Sequence, residues 1–493
     1  MKTRLNEARL AELPEDVEVY DYDRLSVGLG IVHLGIGSFH RAHQAVYTDL
    51  ALARHRGDWG ILGVSFRSGR IAAALNPQGG LYTVIEREGG IRHGRIVGCV
   101  KQVAVLSEEA ERILSIMSSK EIRIFSATVT EKGYYLDPVS GRLDLDDSMI
   151  KADLIQPQTP KTMPALVVEA LARRRERNTG PVTVMSCDNL TANGKKMRRS
   201  ILDFATARDP SLAEWISASV TFPCTMVDRI VPAPGENTVS DAANLIGCDD
   251  PAALMTEPFR QWVIEDQFAA GRPAWEDAGA QFVEDVVPFE HAKLRLLNGS
   301  HSTFAYLGRL IGYDYIHQSV SNQRLVALVR HQMFNEVIPG LASVEMDLGE
   351  YCQTVLRRFA NRTLPYTTIQ VASDGSQKIP QRWLPAIAAS IDNGRRPRAL
   401  AFSFASWARF LEGRDDDGRV FPINDPDSRW LSDRTKKDID SETVIHCLIE
   451  RLGGIASNVS GANLFLDDAA FWLDRMRNYS VADSIREFSS SWV

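Results

Sequence analysis

Hydrophobic and polar positions divide the chain into two parts of different character. In the first part, short apolar runs rich in β-branched residues predict strands, and apolar residues spaced three or four apart predict helices. The predicted strands are 30–34, 59–66, 122–129 and 182–187, and the helices between them are 41–56, 108–117 and 165–175. Strands that alternate with helices form a parallel sheet with helices on both faces. The pattern therefore predicts an α/β fold with a doubly wound sheet.

Beyond about residue 285 helical spacing dominates and few strand-like runs remain. The predicted helices there are 292–310, 322–337, 348–358, 386–391, 400–411, 441–452 and 469–477. A chain of 493 residues is long enough for two or three domains. We therefore predict an α/β domain over residues 1–285, beginning with a polar lead-in at 1–29, and a mainly helical domain over residues 286–493.

Charge and hydropathy argue against several classes of function. The net charge is −7 and no long run of lysine and arginine occurs, so the basic surface of a nucleic-acid-binding protein is absent. The densest basic stretches, 173–177 and 195–199, have helical periodicity and are expected to be solvated helix faces. No apolar stretch approaches the about 18–20 residues that span a bilayer, and the charged N-terminus lacks a signal-peptide core. We expect a cytoplasmic protein without a nucleic-acid or membrane partner.

Cysteine and histidine spacing argues against a metal centre. The six cysteines are scattered without a Cys-x-x-Cys pair, unlike a disulfide framework or a structural zinc site. His40 and His43 are three residues apart on a predicted helix, but Arg41 lies between them and no Cys, Asp or Glu is adjacent. We expect these histidines to cap the helix or contact a cofactor rather than bind a metal.

A glycine-rich turn follows the first predicted strand. Gly35 and Gly37 stand where the glycines of a dinucleotide fingerprint permit a tight turn and let the backbone approach a pyrophosphate. His40 stands where a third small residue is usual, so the motif alone fits an ordinary strand-to-helix turn equally well. After the second strand no acidic residue is present to bind a ribose 2′-hydroxyl, and Arg67 and Arg70 suit a 2′-phosphate. These residues leave NAD and NADP both open.

Three polar side chains share one side of a predicted helix in the second part. With Lys293 at zero and about 100° per residue, His301 lies at about 80° and Asn298 at about 140°. Leu294 and Leu297 share that side, which predicts a buried face. Reduction of a ketone by hydride requires a proton donor and a dipole that stabilises the developing alkoxide. An amine, an amide and an imidazole on one face can supply both; a surface lysine and a helix end are the alternative.

Two segments of the first part add candidates. Asp188 and Asn189 follow a predicted strand at its carboxyl end, where open α/β sheets bind ligands. Asp228 and Arg229 end an apolar run, and a buried Asp–Arg ion pair is the alternative for them.

These segments together resemble the long-chain mannitol dehydrogenase family of polyol and sugar-acid dehydrogenases. The matching pieces are GIGSFHRAHQAVY (35–47), TVTEKGYY (128–135), VMSCDNLTANG (184–194), FPCTMVDRIVPA (222–233), EPFRQWVIEDQF (257–268), KLRLLNGSH (293–301) and SDGSQKIPQR (373–382). Lys-x4-Asn-x2-His is the signature of that family, and the missing third glycine is usual in it. The resemblance implies a Rossmann-like first domain, a helical second domain and a metal-independent reaction with a nicotinamide cofactor, NAD being expected before NADP.

The resemblance also implies a role for each candidate residue. Lys293 is expected to be the general acid and base, and Asn189 and Asn298 to form an oxyanion hole. His301 is expected to hydrogen-bond the substrate, and Asp228 to tune proton exchange near the lysine. The expected cofactor-binding residues are Gly35, Gly37, Phe39, His40, Arg41, Arg67 and Glu131.

Three details favour a sugar acid as the substrate. Residues 131–133 (Glu-Lys-Gly), Cys224 and residues 375–382 resemble family members that interconvert D-fructuronate and D-mannonate. Members that act on fructose and mannitol, the alternative, tend to have glycine at 132, asparagine at 224 and arginine at 370. A carboxylate needs a cationic partner, and we expect Lys378 first and Arg382 second in that role, unless both are surface charges. The expected partner is a small sugar acid or polyol, bound by a monomer or weak homo-oligomer.

Three rival classes fit the sequence less well. No tyrosine is followed four residues later by a lysine, which excludes the chemistry of short-chain dehydrogenases. A zinc alcohol dehydrogenase would need clustered ligands. A non-catalytic dinucleotide-binding protein would keep Gly35 and Gly37 but need not keep Lys293 and Asn298, and both are present.

Overall fold

A computed structural model describes residues 3–363 and 366–490 of the chain. It separates into two compact units, Met1–Val286 and Val287–Val493. Within the described residues, all strands lie in the first unit and the second unit is helical. The predicted fold class, an α/β unit followed by a mainly helical one, is therefore confirmed. Over the same residues, no helix combines the length and the hydrophobicity that crossing a bilayer requires.

The first unit is organised around a six-stranded parallel sheet. Its strands are β1 (Val17–Val19), β2 (Leu29–Leu34), β3 (Gly60–Ser65), β4 (Tyr82–Glu88), β5 (Ile91–Val97), β6 (Val100–Val105), β7 (Ile124–Ala127), β8 (Val182–Ser186), β9 (Val220–Thr221), β10 (Thr225–Asp228), β11 (Leu254–Thr256), β12 (Gln261–Glu265) and β13 (Gln281–Val283). The central sheet has the order β6-β3-β2-β7-β8-β9 with parallel pairing throughout. This is the 3-2-1-4-5-6 order of a Rossmann fold, which reverses between β2 and β7.

Both faces of the central sheet are buried. Val32 and Leu34 belong to one apolar core with Leu166, whereas Ile31 belongs to a second core with Val46. Successive side chains of a strand point to opposite faces, so a sheet covered on both sides requires continuous apolar runs. The α-helices of this unit are Ser38–Ala42, Gln44–Arg54, Arg70–Leu75, Leu106–Met117, Ser148–Ile155, Met163–Arg177, Asn193–Arg208, Pro210–Ser219 and Glu236–Ile246.

Two sequence predictions for the first unit are corrected. Residues 1–29 are more than a polar lead-in, because β1 pairs with β5 in a second sheet of order β1-β5-β4-β11. The helix expected at 41–56 breaks at His43, where φ is −120° and ψ is −92°, so Ser38–Ala42 and Gln44–Arg54 are separate helices. A third sheet has the order β10-β12-β13.

The second unit packs helices around one large apolar core. Its α-helices are Val287–Ala292, Gly299–Leu310, Ile316–Ser321, Gln323–His331, Leu348–Phe359, Thr368–Ala372, Gly375–Arg382, Leu384–Asp392, Arg398–Phe410, Ser428–Arg434, Ser441–Arg451, Val459–Asn478 and Val481–Ser490. Two stretches, Lys293–Asn298 and Gln332–Val337, are π-helical. Backbone hydrogen bonds in a π-helix run from residue i to residue i+5, and such turns are frequent at functional sites.

Candidate active site

The glycine-rich turn lies at the carboxyl end of β2, where the strand order of the central sheet reverses. Gly35 has a φ of +88°, and a Cβ there would lie 2.3 Å from the carbonyl oxygen of Thr128, so only glycine fits. Gly37 is exposed, and a Cβ there would meet only Gly35 O, at 3.9 Å. Protein packing does not require a glycine at 37, which fits a position where a ligand approaches the backbone closely.

The side chains after this turn are engaged by the protein itself. His40 is fully buried, and its ring stacks on that of His33 in β2 with centroids 3.4 Å apart. Two flat rings let a large residue occupy the helix–strand contact where a third glycine is usual. Arg41 is buried beside Tyr82, whose hydroxyl donates to the Arg41 carbonyl at 2.7 Å. Phe39 is half-buried.

His40 and His43 both contact groups of the protein itself. His43 Nε2 lies 2.9 Å from the carbonyl oxygen of Gln261, while His40 faces His33. Across residues 3–363 and 366–490, no group of three or more His, Cys, Asp or Glu side chains is placed to hold a metal ion.

The loop after β7 is held by Asp188. Val129 N and Thr130 N donate to the Asp188 carboxylate at 3.1 and 2.9 Å, and the Tyr134 hydroxyl donates to it at 2.7 Å. Burial raises the pKa of this carboxyl group. Thr130 has a φ of +63°, a strained conformation for a non-glycine residue that clusters at functional sites. The exposed Glu131 follows, so the Asp188 network fixes the backbone that presents it.

Asn189 is exposed at the end of β8, next to a rigid piece of backbone. The fully buried Asn193 donates to Asp188 O at 3.0 Å and to Thr225 O at 2.9 Å. Thr225 N donates in return to Asn193 Oδ1 at 2.9 Å. Asn193 therefore links the backbone that follows β8 to the start of β10, and fixes the segment that presents Asn189.

Asp228 and Arg229 are both buried at the end of β10. Arg229 forms an ion pair with Glu86 of β4 and donates to the carbonyl oxygen of Glu257 at 2.9 Å. The arginine therefore has a carboxylate partner in the second sheet and supports the fold there.

The turn after β3 borders a pocket of about 460 Å³ in the first unit. Its lining residues are Phe66, Arg67, Leu106, Ser107, Glu108, Ala110, Glu111, Met149, Thr159, Pro160 and Lys161. The pocket lies beyond the carboxyl ends of β3 and β6, the edge at which open α/β sheets bind ligands. Arg67 and Lys161 bring positive charge to it, and Glu108 and Glu111 bring negative charge.

In the second unit, the π-helical stretch changes the predicted polar face. Lys293 and Asn298 are five residues apart, the spacing of a π-helical hydrogen bond, so one turn of the π-helix separates them. The α-helical prediction, which set them about 140° apart, is wrong for this stretch. Lys293 is 5% exposed and Asn298 is half-buried.

His301 lies in the helix Gly299–Leu310 that continues from the π-helical stretch. Its ring stacks on Phe359 with centroids 4.4 Å apart and meets Tyr366 edge-on at 6.3 Å. These two aromatic contacts fix the orientation of the imidazole.

Arg382 contacts the same part of the second unit. Its guanidinium donates to Asn298 O at 3.2 Å and to Ser302 Oγ at 2.7 Å. Burial lowers the pKa of Arg382 to about 10, so the group is still cationic at neutral pH. A permanent positive charge therefore adjoins the stretch that carries Lys293 and Asn298.

Lys378 precedes Arg382 by one turn of the helix Gly375–Arg382 but is turned differently. Its Nζ donates to Val371 O at 3.4 Å and to Ser373 Oγ at 3.3 Å. Burial lowers its pKa. Lys378 therefore donates its hydrogen bonds to the turn that precedes its own helix, whereas Arg382 contacts Asn298.

Both units match parts of one family. The family model described as mannitol dehydrogenase Rossmann domain matches residues 29–277, and the one described as mannitol dehydrogenase C-terminal domain matches residues 285–462. The chain belongs to the mannitol dehydrogenase family. It is thus an oxidoreductase that acts on a CH–OH group.

Several relatives of this mannitol dehydrogenase family member are known over most of its length. D-mannonate oxidoreductase of Escherichia coli (strain K12) is 45% identical over 421 residues, 84% of this chain and 86% of that protein. Polyol:NADP oxidoreductase of Gluconobacter oxydans (strain 621H) is 38% identical over 442 residues, 88% and 91% of the two chains. A solved structure of Pseudomonas fluorescens mannitol 2-dehydrogenase, a ternary complex with NAD and D-mannitol, is 35% identical, covers 99% of each chain and gives a TM-score of 0.83.

Residues that support the site of this family member were missed by sequence reasoning. Asn193 and His33 support the site, although neither was predicted to, and Asp188 was predicted only from its position at the end of a strand. Two signals pointed to them: His33 is a polar residue inside an apolar strand, and Asn193 opens the helix after β8. Buried polar groups need hydrogen-bond partners, so such residues mark networks.

Proposed function

We propose that this chain reduces D-fructuronate to D-mannonate, and catalyses the reverse oxidation, with a nicotinamide cofactor. The observation that carries the proposal is the contact of Arg382 with Asn298 and Ser302, which puts a guanidinium beside the Lys293 stretch. A carboxylate substrate requires such a cation, and a neutral polyol does not. The 45% identity to E. coli D-mannonate oxidoreductase supports the same substrate class.

The proposed chemistry gives Lys293 the proton transfer. In the direction of reduction its ammonium donates a proton to the oxygen of the former ketone, and in oxidation the amine takes the proton back. The amides of Asn189 and Asn298 donate hydrogen bonds to the same oxygen and stabilise the negative charge that develops on it.

The remaining candidates orient the substrate and tune the proton transfer. His301 donates a hydrogen bond to the substrate from a ring that Phe359 holds in place. Asp228, buried in the first unit, tunes proton exchange at the lysine. Arg382 binds the substrate carboxylate, and Lys378 is the second cation of that end.

We propose NAD(H) as the cofactor, which supplies or accepts the hydride. Its proposed contacts are Gly35, Gly37, Phe39, His40, Arg41, Arg67 and Glu131, with the backbone serving at His40 and Arg41 because both side chains are buried. NADP(H) is the second candidate, because the turn after β3 has Arg67 and Arg70 and no acidic residue. The relatives include one structure with NAD and one enzyme named for NADP.

The second candidate function is that of a mannitol 2-dehydrogenase, which converts D-fructose and D-mannitol. The observation that favours it is the 35% identity and TM-score of 0.83 to the P. fluorescens enzyme. The two candidate functions share the reaction type. Their substrates differ at one end, which is a carboxylate in fructuronate and a hydroxymethyl group in fructose.

The variant Arg382→Leu tests the proposed substrate. It removes the cation, so KM for fructuronate is expected to rise at least about tenfold, whereas kcat/KM for fructose is expected to change much less. Arg382→Lys keeps the positive charge but loses the paired N–H groups of the guanidinium. Its KM for fructuronate is expected to lie between those of the wild type and Arg382→Leu. Arg419→Leu, at an exposed ion pair with Asp417, is the matched control. An unchanged KM for fructuronate in Arg382→Leu removes that residue from the substrate site.

A further inference from the structure

A cluster of polar side chains, three buried and one half-buried, adjoins the glycine turn, and the proposed chemistry does not use it. This buried histidine cluster consists of His33, Gln44, Ser126 and Thr128. His33, on β2, is fully buried. Its Nδ1 lies 2.8 Å from Ser126 Oγ, and its Nε2 lies 2.9 Å from Thr128 Oγ1. One ring therefore bridges β2 to β7 and to the residue that follows β7.

The buried histidine cluster touches the turn through Thr128. The Thr128 hydroxyl donates to Gly35 O at 2.8 Å, and Gly37 N donates to the same oxygen at 2.7 Å. The Thr128 carbonyl oxygen also lies only 2.3 Å from the position that a Cβ of Gly35 would take. The backbone between the two glycines is thus fixed against Thr128 by both a hydrogen bond and close contact.

The protonation state of His33 determines the direction of the hydrogen bonds around it. Burial lowers the pKa of His33 to about 3, so the ring is neutral and carries one N–H. Thr128 has one hydroxyl hydrogen, which can go to Gly35 O or to His33 Nε2. The Thr128 hydroxyl can donate to Gly35 O only when His33 Nε2 carries the ring hydrogen and donates to Thr128 Oγ1. His33 Nδ1 then accepts a hydrogen bond from the Ser126 hydroxyl.

The terminal amide of Gln44 completes this chain. With Gln44 Oε1 at 2.8 Å from Ser126 Oγ, Gln44 Nε2 has no hydrogen-bond partner among the described residues. Turning the amide over lets Nε2 donate to Ser126 Oγ, and the Ser126 hydrogen goes to His33 Nδ1. The hydrogens from Gln44 through Ser126, His33 and Thr128 are then directed toward Gly35 O, and Ser126, His33 and Thr128 each accept one hydrogen bond and donate one.

We infer that His33 is a positioning residue for the cofactor-binding turn: through Thr128 it fixes the Gly35 carbonyl and with it the backbone that leads to Gly37. The inference rests on the proposed nicotinamide cofactor. His40 supports the ring from its face, because the two imidazoles stack and His40 belongs to the helix that follows Gly37. A turn that is already fixed needs little reordering when a ligand binds, so loosening it weakens affinity.

Titration of NADH fluorescence with the purified full chain tests this inference without measuring turnover. Thr128→Val removes the hydroxyl and keeps the branched shape, whereas Thr128→Ser keeps the hydroxyl. The Kd for NADH is expected to rise about fivefold to tenfold in Thr128→Val, the effect of losing about one hydrogen bond, and to stay within about twofold in Thr128→Ser. His33→Phe keeps a ring against His40 but loses both hydrogen bonds, and is expected to raise Kd at least as much.

Thr183→Val is the matched control, because it makes the same change at a fully buried hydroxyl of β8 that lies 3.0 Å from Thr221 Oγ1 and is not part of the buried histidine cluster. We expect it to lower the melting temperature about as much as Thr128→Val while leaving the Kd for NADH within about twofold. An unchanged Kd in both Thr128→Val and His33→Phe, or an equal rise in Thr183→Val and Thr128→Val, would overturn the positioning role. A wild-type chain that binds neither NADH nor NADPH would overturn the proposed function instead.

Discussion

Lys293 is the residue on which the proposed chemistry depends most. Lysine is seldom buried in globular proteins, because its charged form loses hydration there. Here it is 5% exposed, within a π-helical stretch whose Leu296 and Leu297 are buried as well. A buried amine is more readily explained by function than by packing.

Lys293→Ala is predicted to lower kcat by roughly 10²–10⁴-fold, because the reaction loses its acid and base. The Kd for NADH, measured by fluorescence titration, is expected to stay close to that of the wild type. Lys151→Ala, at an exposed ion pair with Asp146, is the control for loss of a lysine elsewhere. A variant that keeps near-wild-type kcat between about pH 6 and 9 contradicts the role of Lys293.

At the residue scale, the sequence predicted residue types better than residue contacts. The Lys-x4-Asn-x2-His spacing identified Lys293 as a candidate, and its predicted burial is observed. Lys378 was predicted to be the first choice as partner of a substrate carboxylate and Arg382 the second. In the structure Lys378 donates to Ser373, whereas Arg382 donates to Asn298. Side-chain direction depends on neighbours that are distant in sequence, so spacing alone cannot supply it.

At the element scale, the strands and helices around the glycine turn were predicted from the sequence. The hairpin of β4 and β5 and the π-helical stretch were not. The hairpin of β4 and β5 has a signal in Gly89-Gly90, both with positive φ, a pair typical of tight hairpins. The π-helical stretch Lys293–Asn298 has no such signal, since its apolar spacing suits an α-helix. Packing in the folded unit decides between hydrogen bonds to the fourth and the fifth residue.

The turn after β3 is the element predicted to govern cofactor choice. We expect kcat/KM to favour NADH in the wild type, and Arg67→Ala to reduce activity with NADPH much more than activity with NADH, because only NADPH carries a 2′-phosphate with which the arginine can form an ion pair. Steady-state kinetics with both cofactors measure this, with Lys151→Ala as the surface control. A wild-type kcat/KM that favours NADPH about tenfold would show that the arginines decide and that NADP(H) is the cofactor.

At the scale of the whole molecule, chelation tests the proposal that proton transfer requires no metal ion. Incubation with EDTA followed by gel filtration is expected to leave kcat and the melting temperature unchanged, because the proposed proton transfer and charge stabilisation use only Lys293, Asn189 and Asn298. Loss of activity on chelation that zinc restores would contradict the mechanism.

The overall charge of the molecule bears on the proposed substrate. A net charge of −7 does not attract an anionic sugar acid, so recognition of a carboxylate must come from local cations such as Arg382 and Lys378. A buried cation is costly when a neutral sugar occupies the site and leaves it unpaired. The preference for an acid over a neutral sugar is therefore expected to be large.

The ratio of kcat/KM for D-fructuronate to that for D-fructose, measured with the wild-type chain and NADH in the same buffer, is the most direct test of the proposed function. We predict a ratio of at least about 100, because discrimination by a buried charge costs the wrong substrate several kcal/mol. A kcat/KM for fructose equal to or greater than that for fructuronate would contradict it and assign the chain to mannitol oxidation.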